Sequence, residues 1–154
     1  RYGGYQHTIN KRKTAALVLR KICDSIFKYE ANANILIMGD FNDGPHDESI
    51  KNILLEEGKN TNLINLMGSE KFSWKQGSLK YKEKWFTFDQ FIISKNLLVK
   101  KGLYINDCDA YKGDFLFKED PNYLGQKPWR TYNGMDYEGG FSDHLPIYCN
   151  IICY

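Results

Sequence analysis

The chain has 154 residues, room for one domain with its own core, since a chain of about 150 residues buries roughly two thirds of its unfolded surface. Hydrophobic residues make up 42% and charged residues 26%, which excludes disordered and collagen-like classes, and no apolar run reaches the roughly 18 residues of a membrane span. The formal net charge of +2 is too balanced to argue for nucleic acid or an anionic membrane as a partner.

Residues 1–10 read as a loop, with Gly3 and Gly4 allowing a tight turn. Residues 11–29 predict a helix, because Ala15, Val18, Leu19, Ile22 and Ile26 recur at helical spacing, and Thr8 or Asn10 is placed to cap it. The basic run Lys11-Arg12-Lys13 reads as a solvated helix start, with phosphate contact the rarer option. Ile35-Leu36-Ile37-Met38 is a short unbroken apolar run, which predicts a strand buried on both faces. A dense turn follows, Gly39-Asp40-Phe41-Asn42-Asp43-Gly44-Pro45. A second helix is expected from near Asp47, with Ile50, Ile53 and Leu54 as its stripe and Gly58 as its stop.

Beyond it, the pattern predicts a short helix at residues 63–67 and a strand at 78–81. Residues 85–94 read as one strand, with Phe86, Phe88, Gln90 and Ile92 alternating against Trp85, Thr87, Asp89, Phe91 and Ile93. Residues 102–140, rich in Gly, Asp, Tyr and Pro, predict long surface loops with a short strand at 103–105. Residues 145–154 predict the last strand. None of Cys23, Cys108, Cys149 and Cys153 forms a C-x-x-C pair, so they read as reduced thiols acting as small hydrophobes. The chain opens at Arg1 with no initiator Met or signal peptide, and no compartment follows from it.

Three polar clusters stand at or within apolar strands: Asp40 with Asn42, then Asp89, then Asp143-His144. A lone Asp beside a strand is usually a turn residue accepting backbone hydrogen bonds. Asp89 differs, because a carboxylate between Phe88 and Phe91, if buried, needs a partner charge, hydrogen bonds or a metal. A histidine is the simplest partner, since a carboxylate on one ring nitrogen fixes the tautomer and leaves the other nitrogen for chemistry. His7 and His46 lie in polar stretches and read as surface residues, whereas His144 stands at the mouth of a strong strand beside an acid. Asp89–His144 is therefore the preferred pairing.

Taken together, Gly39-Asp40-Phe41-Asn42, Trp85 with Asp89-Gln90-Phe91-Ile92-Ile93-Ser94, and Ser142-Asp143-His144-Leu145-Pro146 resemble the endonuclease/exonuclease/phosphatase superfamily, the DNase I-like proteins. The order and spacing of the motifs carry the resemblance, which spans residues 1–154 as one unit. With Lys127-Pro128-Trp129-Arg130-Thr131-Tyr132 ahead of the last motif, it looks closest to bacterial members of unassigned substrate. It implies an α/β fold, a four-layer α/β/β/α sandwich of which this chain supplies about the second half, one mixed sheet with flanking helices. It implies a phosphodiesterase, phosphatase or nuclease using Mg²⁺ or Mn²⁺. Asp40 matches the acid that orients or deprotonates the attacking water, and Asn42 the amide that holds that acid and contacts phosphate. Asp89 matches the acid that orients the catalytic histidine, His144. Asp143, with Asp40, is expected near the metal.

The same resemblance implies a missing N-terminal half that carries the principal metal ligand, a Glu. The chain alone is then expected to be inactive, and to expose an apolar sheet face. Trp129 and Arg130 are candidates for substrate contact, through stacking and charge. The competing reading is a non-catalytic module that holds a phosphate or sugar ligand in the same loops. Nucleic acid is a possible substrate that the charge does not support, and the sequence favours a small or lipid-like phosphoester, with residues 107–140 as the selecting loop.

Overall fold

The computed structural model describes residues 4–56, 58–59, 61–68 and 77–154. Part of the loop expected at residues 1–10, its first three positions, lies outside the described residues.

The first element is a 25-residue helix, α1 (Tyr5–Tyr29). It begins six residues earlier than the pattern predicts, directly after Gly4, because nothing from Tyr5 to Asn10 breaks a helix. Thr8 and Asn10 are therefore interior residues rather than caps, and His7 is a helix residue. The Thr8 hydroxyl donates back to the Gly4 carbonyl at 3.2 Å.

Two apolar stripes run along α1, and only one is packed. Buried Ala16 and Cys23, with Leu19 and Phe27 beside them, face the core. Val18, Ile22 and Ile26, three of the residues expected to face inward, are exposed, and so is Ala15. Both stripes have helical spacing, so periodicity cannot choose between them. Packing chooses the one with small residues, where the helix meets the turn Ser49–Leu54. That turn is a single π-helical element where a second helix was expected.

The central sheet has three antiparallel strands in the order β1 (Leu36–Asp40), β5 (Asp89–Ser94) and β2 (Leu63–Asn65). The residues expected to form a short helix at 63–67 thus begin as β2 and end in the 3-10 turn Leu66–Gly68. All six residues of β5 are buried, because both faces of the strand are covered. On one face Ile92 packs with Ala16, Cys23, Ile50, Leu54 and Leu63. On the other, Phe91 and Ile93 pack with Leu66, Met67, Leu97 and Ile105. The edge strand β1 is not buried on both faces as expected, since Met38 is 51% exposed.

The strand expected over 85–94 breaks in two. β4 (Lys84–Phe86) pairs with β3 (Leu79–Tyr81) as a hairpin, and β5 starts afresh at Asp89. The stretch read as loops holds more structure than expected. β6 (Leu103–Ala110) pairs along its length with β11 (Ile147–Cys153), and the ladder skips Asn106 as a bulge. Between them lie two hairpins, β7 (Phe117–Glu119) with β8 (Gln126–Pro128), and β9 (Tyr132–Asn133) with β10 (Asp136–Tyr137). The expected α/β class holds, and its sheet resolves into antiparallel ladders. All four cysteines are free. Cys149 stands opposite Cys108 across the ladder, and burial pushes the Cys108 thiol up to about 12.

Candidate active site

β1 ends in Asp40 and β5 begins with Asp89, and the register sets these two residues opposite each other. Cross-strand partners share a sheet face and lie about 5 Å apart. Two carboxylates so placed repel, and each is held by its own donors. Asp40 accepts the Asn42 backbone N–H at 2.8 Å and the Asn42 side-chain amide at 3.0 Å, one on each oxygen. Asn42 adopts φ 53, a left-handed conformation that Asn tolerates better than most residues, and this folds its amide back onto Asp40.

The Asp89 Oδ2 atom meets His144 Nδ1 at 2.6 Å and also accepts the Ser78 hydroxyl. Ser78 holds the backbone as well. Its carbonyl accepts the Leu145 N–H at 2.8 Å, and its neighbour Leu79 bridges to His144. The His144 N–H donates to Ser142 Oγ at 3.0 Å. With Nδ1 tied to Asp89, Nε2 is the nitrogen left for chemistry. The His144 pKa is raised above its ordinary value. The hydrogen bond to Asp89 is the largest cause, the charges of Asp89, Asp40 and Asp143 add to it, and burial opposes it.

Behind Asp40 a buried polar network pins the turn after β1. Gln90, fully buried, donates its amide to the Asp43 carbonyl and accepts from the Asn65 amide. The Asp43 carboxylate meets Arg12 Nε at 2.7 Å and the Ser49 hydroxyl at 2.5 Å. Arg12 is therefore neither solvated nor free for phosphate; it ties α1 to this turn. Lys13 is paired likewise, 2.6 Å from Glu48. Sequence reasoning missed Ser78, Asp43, Gln90 and Asn65. The signal for Gln90 was present, because a polar side chain in a strand buried on both faces needs partners as much as Asp89 does.

Asp143 and Arg130 form an ion pair, Oδ2 to the guanidinium at 2.5 Å. Trp129 is anchored as part of its loop. Its indole N–H donates to the Glu138 carbonyl at 2.8 Å, and its ring meets Phe141 edge-on at 6.4 Å. Gly140 permits this approach, since a Cβ there would stand 2.2 Å from the Trp129 carbonyl oxygen. Trp85 packs behind the site on Phe117, among Ala110, Leu116 and Leu145. His46 lies in the turn after Asn42, exposed, and His7 is exposed on α1.

The geometry thus gathers Asp40, Asn42, Asp89 and His144 at one end of the sheet, with Asp143 close enough to act on His144. The family model of the endonuclease/exonuclease/phosphatase family matches residues 1–152. The chain belongs to this family. No curated protein matches it. Members of the family are generally hydrolases, nucleases or phosphatases, and typically use a divalent metal. Among the described residues no three His, Cys, Asp or Glu side chains form a set that could hold a metal ion. Asp40 and Asp143 do not make a site by themselves. Asn42 engages both oxygens of Asp40, and Arg130 engages one of Asp143.

Proposed function

We propose that the chain is the C-terminal catalytic half of a divalent-metal-dependent phosphoester hydrolase in which water attacks phosphorus. The observation that carries this reading is the 2.6 Å contact between His144 and Asp89, with Asp40 in register opposite Asp89. Phosphodiesters are anionic and repel hydroxide, so a catalyst must aim the water in line and supply positive charge. Asp40, held rigid by Asn42, orients the water and takes its proton. His144, protonated, donates from Nε2 to a phosphoryl oxygen as negative charge builds there. Asp89 fixes its tautomer and supports its charge. Asn42 and Arg130 are the side chains with donors for the phosphate.

The family's metal needs more ligands than Asp40 and Asp143, and we assign the rest to a preceding half of the domain packed on the open sheet face near Met38. Residues 1–154 alone are then inactive. The test uses the protein with that half present, Mg²⁺ or Mn²⁺, and bis-p-nitrophenyl phosphate or DNA. Hydrolysis is expected to stop with EDTA and to fall at least about 100-fold in Asp40→Ala and in His144→Ala. Unchanged rates in both variants would end the proposal. Phosphate binding without any turnover would favour a ligand-holding module.

A further inference from the structure

We propose that the cleft between the β3–β4 and β7–β8 hairpins is an anion subsite for a second phosphate of the substrate, apart from the phosphate attacked beside His144. This inference rests on the hydrolase reading for its place in a reaction, and on its own geometry for binding. The cleft encloses about 350 Å³, within the range of small-ligand sites. It starts at the active centre, because Asp143 and Arg130 belong to its wall and Leu79, another wall residue, bridges to His144.

Among the described residues its lining holds four cations, Lys80, Lys82, Lys127 and Arg130, against two carboxylates, Asp120 and Asp143. Two of the cations are engaged. Arg130 is paired with Asp143, and Lys80 has a side chain only 3% exposed, with Nζ 3.2 Å from Asp120 and donating to the Leu124 carbonyl at 2.7 Å. The other two are in excess. Lys127 lies 3.8 Å from the other Asp120 oxygen, beyond hydrogen-bond length, so that one carboxylate faces two ammonium groups. Lys82 has no carboxylate partner among the described residues, and its Nζ sits 5.7 Å from the Tyr81 ring centre. It stands at the hairpin turn with φ 56, an uncommon conformation for a lysine.

The cleft is built without a ligand. The Asp120 N–H donates to the Gly125 carbonyl at 3.0 Å, and an Asp120 oxygen accepts the Asn122 N–H at 3.1 Å, so this wall is folded on itself. Two ammonium groups in excess over a concave polar site focus a positive potential there. Lysine suits a phosphate as a mobile point charge. A cleft of about 350 Å³ that adjoins the active centre has room for one further phosphate of a substrate held there. The substrate class is therefore a phosphoester that carries a second phosphate on the same small molecule or headgroup.

The test has two arms. In the first, inorganic phosphate is titrated into the protein while backbone amides are followed by NMR. Shifts are expected at Lys82, Asn122 and Tyr123, retained in His144→Ala and lost in a Lys82→Gln/Lys127→Gln double variant. Both lysines reach solvent, so this variant is expected to fold. Shifts confined to Asp40, Asn42 and His144, or equal shifts in the double variant, overturn the subsite.

In the second arm, with the preceding half of the domain present and Mg²⁺ or Mn²⁺ added, fructose bisphosphate and fructose monophosphate compete with bis-p-nitrophenyl phosphate. The bisphosphate is expected to inhibit more tightly, and the double variant to lose roughly tenfold of that advantage for each lysine. An unchanged ratio of the two inhibition constants overturns the proposal. So does a double variant that loses affinity for a DNA oligonucleotide and not for the bisphosphate. If no phosphoester is turned over at all, the hydrolase reading fails, and the NMR arm still decides the anion site.

Discussion

Asp89 shows how little the type of a residue says about its role until its partners are known. Its Oδ2 atom receives a serine hydroxyl and faces an imidazole, inside a strand where every residue is buried. The histidine carries the measurable consequence. Folding raises the His144 pKa, chiefly through the Asp89 hydrogen bond. The stability linked to this group is thus fully present below the unfolded histidine value, and is lost as pH rises through the raised folded value. As a donor in catalysis, the imidazolium persists into more alkaline solution than a free histidine would. Asp89→Asn is therefore expected to move the alkaline limb of kcat/KM to lower pH, and to reduce kcat at neutral pH by about 100-fold. NMR titration of the His144 ring protons checks the same shift without turnover. An alkaline limb and a ring titration that stay in place in Asp89→Asn would remove Asp89 from the mechanism.

At the scale of elements, the turn after β1 is held by partners that local sequence does not announce. Asp43 is 1% exposed and Arg12 11%, and they join the turn to α1 across 31 positions of sequence. Removing one partner leaves the other charge buried and uncompensated. Asp43→Ala is expected to cost about 3–5 kcal/mol in urea unfolding, far more than a typical surface change. A loss below about 1 kcal/mol would mean that the pair does not hold the turn.

The same contrast explains what was legible in the sequence. Gly39-Asp40-Phe41-Asn42, Asp89 and Asp143-His144 could be read because each puts an unusual polar group at an apolar strand, and their order matches the family. Ser78 could not, since its role depends on the β3–β4 hairpin folding beside Asp89 and on the bridge from its neighbour Leu79 to His144, 65 positions later. The packed face of α1 could not, since Ala16 and Cys23 carry a weaker hydrophobic signal than the exposed Val18 and Ile22. The length of β6 was hidden for a different reason. Asn106, Asp107 and Asp109 interrupt its apolar pattern, and only pairing with β11 makes a strand of it.

For the whole molecule, β5 joins stability to chemistry. It begins with the acid that holds His144, and its Phe91, Ile92 and Ile93 belong to two clusters of the core. Met38 and Phe91 test how far that core extends, because they are register partners on adjacent strands. Phe91 is 0% exposed and Met38 is 51% exposed. Phe91→Ala removes a fully packed ring and is expected to cost about 3–5 kcal/mol, with activity lost through unfolding. In residues 1–154 alone, Met38→Ala gives up only half a burial and is expected to cost below about 1.5 kcal/mol. If a preceding half of the domain packs on this face, the same Met38→Ala change in the longer protein closes on a buried side chain and rises to about 2–5 kcal/mol. Denaturation of both lengths with and without the substitution measures the difference. Equal costs in the two would show that the face beside Asp40 stays open to solvent, and that the further metal ligands proposed above do not come from a layer packed on it.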